Sequence, residues 1–151
     1  VGGDSAGGGT ALSLVLTLKR KPELLPGRAL AGALLWSPWT NLMCNTPEYY
    51  HHAFAKIVDT TIFEQKKKEP REGTVYVGDI IFHGHPNANE GGFQLNSQEY
   101  VGDYRLLKDP VASPMYAGAE ELAGGGVPPL YFAVGASESI LGDSVIVAQK
   151  A

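Results

Sequence analysis

The stretch VGGDSAGGGTALSLVL, residues 1–16, decides the reading of this chain. Gly3-Asp4-Ser5-Ala6-Gly7 places a serine between two glycines, and an apolar, helix-forming run follows from Thr10 to Lys21. A serine hydroxyl is a poor nucleophile unless a base takes its proton and nearby dipoles hold the developing oxyanion. A sharp strand-to-helix turn exposes the hydroxyl and sets the first amides of the helix beside it. Such a turn crowds the positions two before and two after the serine, which favours glycine at Gly3 and Gly7. A helix-capping serine in a plain glycine-rich loop is the bland alternative. A phosphate loop lacks its Gly-Lys-Ser/Thr, and the GDSGG setting of all-β serine proteases does not continue into a long helix.

Working outward, Leu12, Leu14, Val15, Leu16 and Leu18 cover most of the helix circumference, so the helix is expected to pack on a sheet. Lys19, Arg20 and Lys21 suit its carboxyl end, and Pro22 stops it. LAGALLW at 30–36 and PLYFAV at 129–134 are continuous apolar runs between turn signals, expected as fully buried parallel strands. Residues 139–151 read as a further helix. This order predicts an α/β fold with a parallel sheet flanked by helices. Residues 46–57 are expected to be partly helical. The stretch 63–99 reads as a loop-rich insertion, with KKKEPRE at 66–72 and HGHPNANEGG at 83–92. YVGD occurs at 76–79 and again at 100–103, consistent with a local duplication.

Composition narrows the partners. The 151 residues are 44% hydrophobic and 19% charged, with net charge −4. That acidic balance gives no field to hold a nucleic acid. The single Cys44 excludes an internal disulfide and a cysteine-rich zinc site, and it favours a reducing, cytoplasmic setting. No apolar run is long enough to span a bilayer. His83 and His85 lack the cysteine or carboxylate partners that would make a metal pair, so no metal is expected.

GGDSAGG with its following helix resembles the hormone-sensitive-lipase-like carboxylesterases of the α/β-hydrolase fold. Three further stretches agree in order: SPWTNL at 37–42, DP at 109–110 with SPMYA at 113–117, and PPL through GASE at 128–138 with Leu141, Asp143 and Ser144. The resemblance fails between about 63 and 99. It implies Ser5 as nucleophile, the Ala6 N–H as one oxyanion donor, and Glu138 as the acid that orients a histidine. Asp143 is the rival acid, but a carboxylate just past a strand's carboxyl end favours Glu138. Asp4 is expected to brace the turn. The family needs no cofactor, and a small-molecule ester is the implied substrate.

One departure stands out. In this fold the order is serine, acid, histidine. His51, His52, His83 and His85 all precede Glu138, and no oxyanion loop of HGGG type precedes Ser5. The chain is therefore expected to be a partial catalytic domain, 1–151, inactive by itself. A non-catalytic ligand-binding protein of the same fold, or a degenerate copy, is the alternative.

Overall fold

The computed structural model describes residues 1–54, 79 and 97–151. Three short strands form one parallel sheet in the order β1 (Gly2–Asp4), β2 (Ala33–Trp36), β3 (Leu130–Ala133). Asp4 pairs with Trp36, and Trp36 with Ala133, so the three strands end level. The ladder continues one step further through Ser37 N–H to the Ala133 carbonyl, 2.7 Å.

Helix α1 (Ser5–Arg20) starts at the residue after β1. It opens through three glycines, which are weak helix formers. Tertiary contact compensates: a Cβ on Gly8 would lie 2.8 Å from Pro38 Cβ, and one on Gly9 would lie 2.2 Å from the Trp39 carbonyl oxygen. The helix thus sits closer to the turn after β2 than any side-chain-bearing residue permits. The hydroxyls of Thr10, Ser13 and Thr17 bond back to the carbonyls of Ala6, Gly9 and Ser13. Lys19 and Arg20 fill the last turn, and Pro22 begins a 3-10 turn (Pro22–Leu24).

The main core lies on one face of the sheet. Leu12, Val15 and Leu16 of α1 meet Ala33 and Leu35 of β2, with Met115, Ala117 and Leu122. Val147 of the last helix closes this core. The segment carrying Met115 and Leu122 includes a 3-10 turn (Pro114–Tyr116) and a short helix, α2 (Ala119–Leu122); the last helix is α3 (Leu141–Lys150). Two lysines secure that segment through its carbonyls. Lys19 Nζ donates to Glu120, Glu121 and Ala123 at 2.8–2.9 Å, and Lys150 Nζ to Met115 and Ala117. Shortening a fully buried Leu12 or Leu16 to alanine should cost about 2–5 kcal/mol.

The opposite face of the sheet departs from expectation. β2 is buried on alternate residues only: Leu34 is 53% and Trp36 58% exposed, and Tyr131 on β3 is 58% exposed. The apolar run reads as a strand covered on both sides, but α1 and α3 pack on one side and no described element covers the other. Trp36 is correspondingly a surface residue rather than part of the core.

A second, smaller cluster joins Cys44, Tyr49 and Ala53 to Trp39 and Ile140. Tyr49 and Ala53 lie in a π-helical turn (Tyr49–Phe54), and the expected helix there reaches at least to residue 54. The proposed insertion at 63–99 falls almost wholly outside the described residues. Both aspartates of the repeated YVGD are described. Asp103 accepts from its neighbour Arg105 N–H, whereas buried Asp79 accepts from both the N–H and the hydroxyl of Ser139. The two aspartates therefore do different structural work, one local and one long-range.

Candidate active site

Ser5 is the first residue of α1 and has φ of +50°. The left-handed region costs a residue with a Cβ about 1–2 kcal/mol, which the fold holds in place here. The side chain is exposed, and its hydroxyl makes no hydrogen bond among the described residues. The Ser5 carbonyl, by contrast, is fixed by the Trp39 N–H at 2.8 Å. The strand end and the helix start therefore clamp the backbone and leave the hydroxyl free. Ala6 lies in the first turn of α1, where backbone N–H groups have no partner within the helix and the helix dipole is positive. No acidic side chain lies in that first turn to compete for them.

The crowding around the serine is one-sided. A Cβ on Gly3 would fall 2.3 Å from the Gly7 carbonyl oxygen, so Gly3 has no substitute. A Cβ on Gly7 would meet nothing within 4 Å. The close approach is made by Gly7's backbone, while its Cα hydrogens point into open space. Asp4 does not form the expected brace: it is exposed and provides no side-chain cap to α1.

Glu138 lies in the loop that leaves β3 at the same end of the sheet. Its Oε1 accepts from Ser37 Oγ and from the Gly135 N–H, both at 2.8 Å. Oε2 makes no hydrogen bond among the described residues. Ser37 follows β2 directly, and Pro38 and Trp39 follow Ser37. This single turn thus contacts Glu138 on one side and the Ser5 backbone on the other. The next residue, Ser139, is held by Asp79.

Asp143 occupies a different environment. It is wholly buried on α3, where Asn41 Nδ2 donates to Oδ1 at 3.3 Å and the Tyr49 hydroxyl donates to Oδ2 at 3.1 Å. Burial pushes its carboxyl from 3.8 up to about 8. The bonds from Asn41, Tyr49 and the Thr40 N–H pull the other way, and nearby Glu48 adds to the rise. Burial likewise raises Cys44 to about 11 and Tyr49 well above its ordinary value. This group pins the loop after β2 to α3, with both carboxyl oxygens occupied.

His51 and His52 lie in the π-helical turn, and neither ring bonds to Ser5 or Glu138. His83 and His85 fall outside the described residues. Among the described residues, no cluster of three or more ligating side chains forms a metal centre, and no helix is long and apolar enough to cross a membrane. Sequence reasoning missed Ser37 as a partner of Glu138. The only signal was its place in the SPW stretch directly after β2.

No protein-family model matches the chain. It is 28% identical over all 151 residues to an esterase of Acinetobacter venetianus, and it spans 37% of that protein. Among solved structures, a mutant of the esterase rPPE matches with TM-score 0.66 at 21% identity, over 99% of this chain and 36% of that one. The esterase EstE5, from a crystal soaked with p-nitrophenyl butyrate, matches with TM-score 0.61 at 24% identity, over 99% and 37%. The chain thus spans little more than a third of the proteins it matches. The level strand ends, the left-handed serine between β1 and α1, and these alignments agree: the chain has a three-strand part of the α/β-hydrolase fold and is similar over its whole length to esterases of the hormone-sensitive-lipase-like family.

Proposed function

We propose that the protein containing these residues is a serine carboxylic-ester hydrolase acting on small-molecule esters. The observation that carries this reading is Ser5: exposed, left-handed, between the end of β1 and the start of α1. In the proposed reaction, Ser5 Oγ attacks the ester carbonyl as its proton passes to a histidine. The tetrahedral oxyanion is held by the Ala6 N–H and by donors outside these residues. The alcohol leaves with the histidine's proton, giving an acyl-serine. Water, deprotonated by the same histidine, then releases the acid. Glu138 orients that histidine. With Oε1 occupied by Ser37 and Gly135, Oε2 is the atom left to accept the imidazole N–H. Asp143, with both oxygens engaged inside the core, is the structural carboxyl of the pair. The reaction uses no metal or organic cofactor.

Among these 151 residues no histidine follows Glu138, and in the proposed reaction the base is supplied from elsewhere in the protein. The chain alone should therefore turn over no ester. The alternative reading is a ligand-binding protein of this fold without catalysis. Labelling with a fluorophosphonate probe separates the two. The comparison is between the 151-residue chain, the complete gene product, and Ser5→Ala in each. Labelling confined to the complete product, and lost in Ser5→Ala, supports the hydrolase. A complete product that does not label contradicts it and favours ligand binding.

A further inference from the structure

We infer that Ser37 is a positioning residue that sets the rotamer of Glu138 and so decides which carboxylate oxygen is presented for chemistry. The inference rests on the reading of Glu138 as the acid of the site. Its first support is backbone strain. Ser37 has φ of +40°, and Ser5 and Cys44 are the other described non-glycine residues with positive φ. Glycine would occupy such a position without steric cost, so a serine here needs a reason in its side chain. Ser5 and Ser37 also occupy equivalent places: each follows directly on one member of the Asp4–Trp36 pair at the level ends of adjacent parallel strands. One of these left-handed serines has a free hydroxyl; the other has its hydroxyl engaged.

The second support is geometric. The Ser37 hydroxyl donates at 2.8 Å to Glu138 Oε1, a residue 101 positions away, and makes no other hydrogen bond among the described residues. The Gly135 N–H donates to the same oxygen. A Cβ on Gly135 would lie 2.8 Å from that oxygen, so the carboxylate packs directly against the glycine backbone. Two donors on Oε1 and none on Oε2 make the carboxylate asymmetric. Without Ser37 the Gly135 bond alone remains, and the carboxylate can turn about its last torsion.

The test uses Ser37→Ala and Ser37→Gly in the complete gene product. Ser37→Gly removes the hydroxyl while relieving the backbone strain, so its effects cannot be ascribed to a distorted turn. Two readouts are needed. In steady-state hydrolysis of p-nitrophenyl butyrate, both variants should lose between about tenfold and a hundredfold in kcat with KM unchanged, as expected for a misplaced catalytic group. By NMR, the Gly135 amide proton should move upfield in both variants, toward its position in Glu138→Ala. Wild-type kcat in Ser37→Gly, with an unmoved Gly135 amide, would overturn the inference and leave Ser37 as a turn residue. If the wild type neither hydrolyses esters nor labels at Ser5, the esterase reading fails separately. The Gly135 amide then decides alone: a shift sustains the Ser37–Glu138 link, and no shift overturns it.

Discussion

Replacing Asp143 by asparagine should flatten the dependence of stability on pH. Its carboxyl is raised from 3.8 to about 8, with burial the largest cause. A carboxyl raised in the fold binds its proton more tightly folded than unfolded. Between about pH 4 and 8 the folded state therefore holds a proton that the unfolded chain has released, and stability falls as pH rises across that window. The limiting slope for one such proton is about 1.4 kcal/mol per pH unit. From about pH 5 to 7 the loss approaches about 3 kcal/mol, a large part of a typical domain's total. Asparagine has the same shape and carries no proton to lose. It can accept from Asn41 through its oxygen and donate to the Tyr49 hydroxyl through its nitrogen, so the cluster stays bonded. The assay is urea unfolding followed by tryptophan fluorescence at intervals of about half a pH unit. Subtracting the variant's curve from the wild type cancels the contributions the two proteins share. The half-buried Asp103 and Glu121, whose carboxyls are lowered by Arg105 and Arg20, act in the opposite sense and at lower pH. Equal slopes in the two proteins, or a difference curve that rises with pH over this window, would refute the reasoning.

Two further substitutions probe the elbow. Gly3→Ala should cost about 2–4 kcal/mol, because its Cβ meets unyielding backbone at Gly7. Gly7→Ala should instead be neutral or add up to about 1 kcal/mol, since the site is open and helical; thermal unfolding of both variants compares them directly. Ser5→Gly should be about 1 kcal/mol more stable than Ser5→Ala, because only glycine relieves the positive φ. Equal melting temperatures for those two variants would show that the backbone at Ser5 carries no strain.

Local pattern made much of the fold legible. The glycines around Ser5, the length of α1 and the two apolar runs that became β2 and β3 were readable because periodicity and turn chemistry are short-range. Burial was less legible. LAGALLW looks the same whether one or both faces of a strand are covered, so the exposure of Leu34 and Trp36 left no mark in the sequence. The spacing around Ser5 points to Gly7, whereas the places where a Cβ would collide are Gly3, Gly8 and Gly9, the last two against Pro38 and Trp39. No local rule places residues 30 positions apart in contact. The same limit hid the bond from Ser37 to Glu138. Asp143 and Glu138 could be ranked from the sequence only by their distance from a strand end. Burial separates them by physical character, one carboxyl enclosed and the other with an oxygen open.

The level ending of the three strands ties assembly of the site to correctness of folding. Side chains alternate faces along a strand, so a slip of one residue in β2 would turn Leu35 out of the core and bring Leu34 in. The same slip would move Ser37 off the row it shares with Ser5 and away from Glu138. A misregistered molecule therefore loses its apolar interior and its reactive geometry in one event. Registry acts as a checkpoint: a molecule with the site assembled is one in which the sheet has been laid down in the right frame.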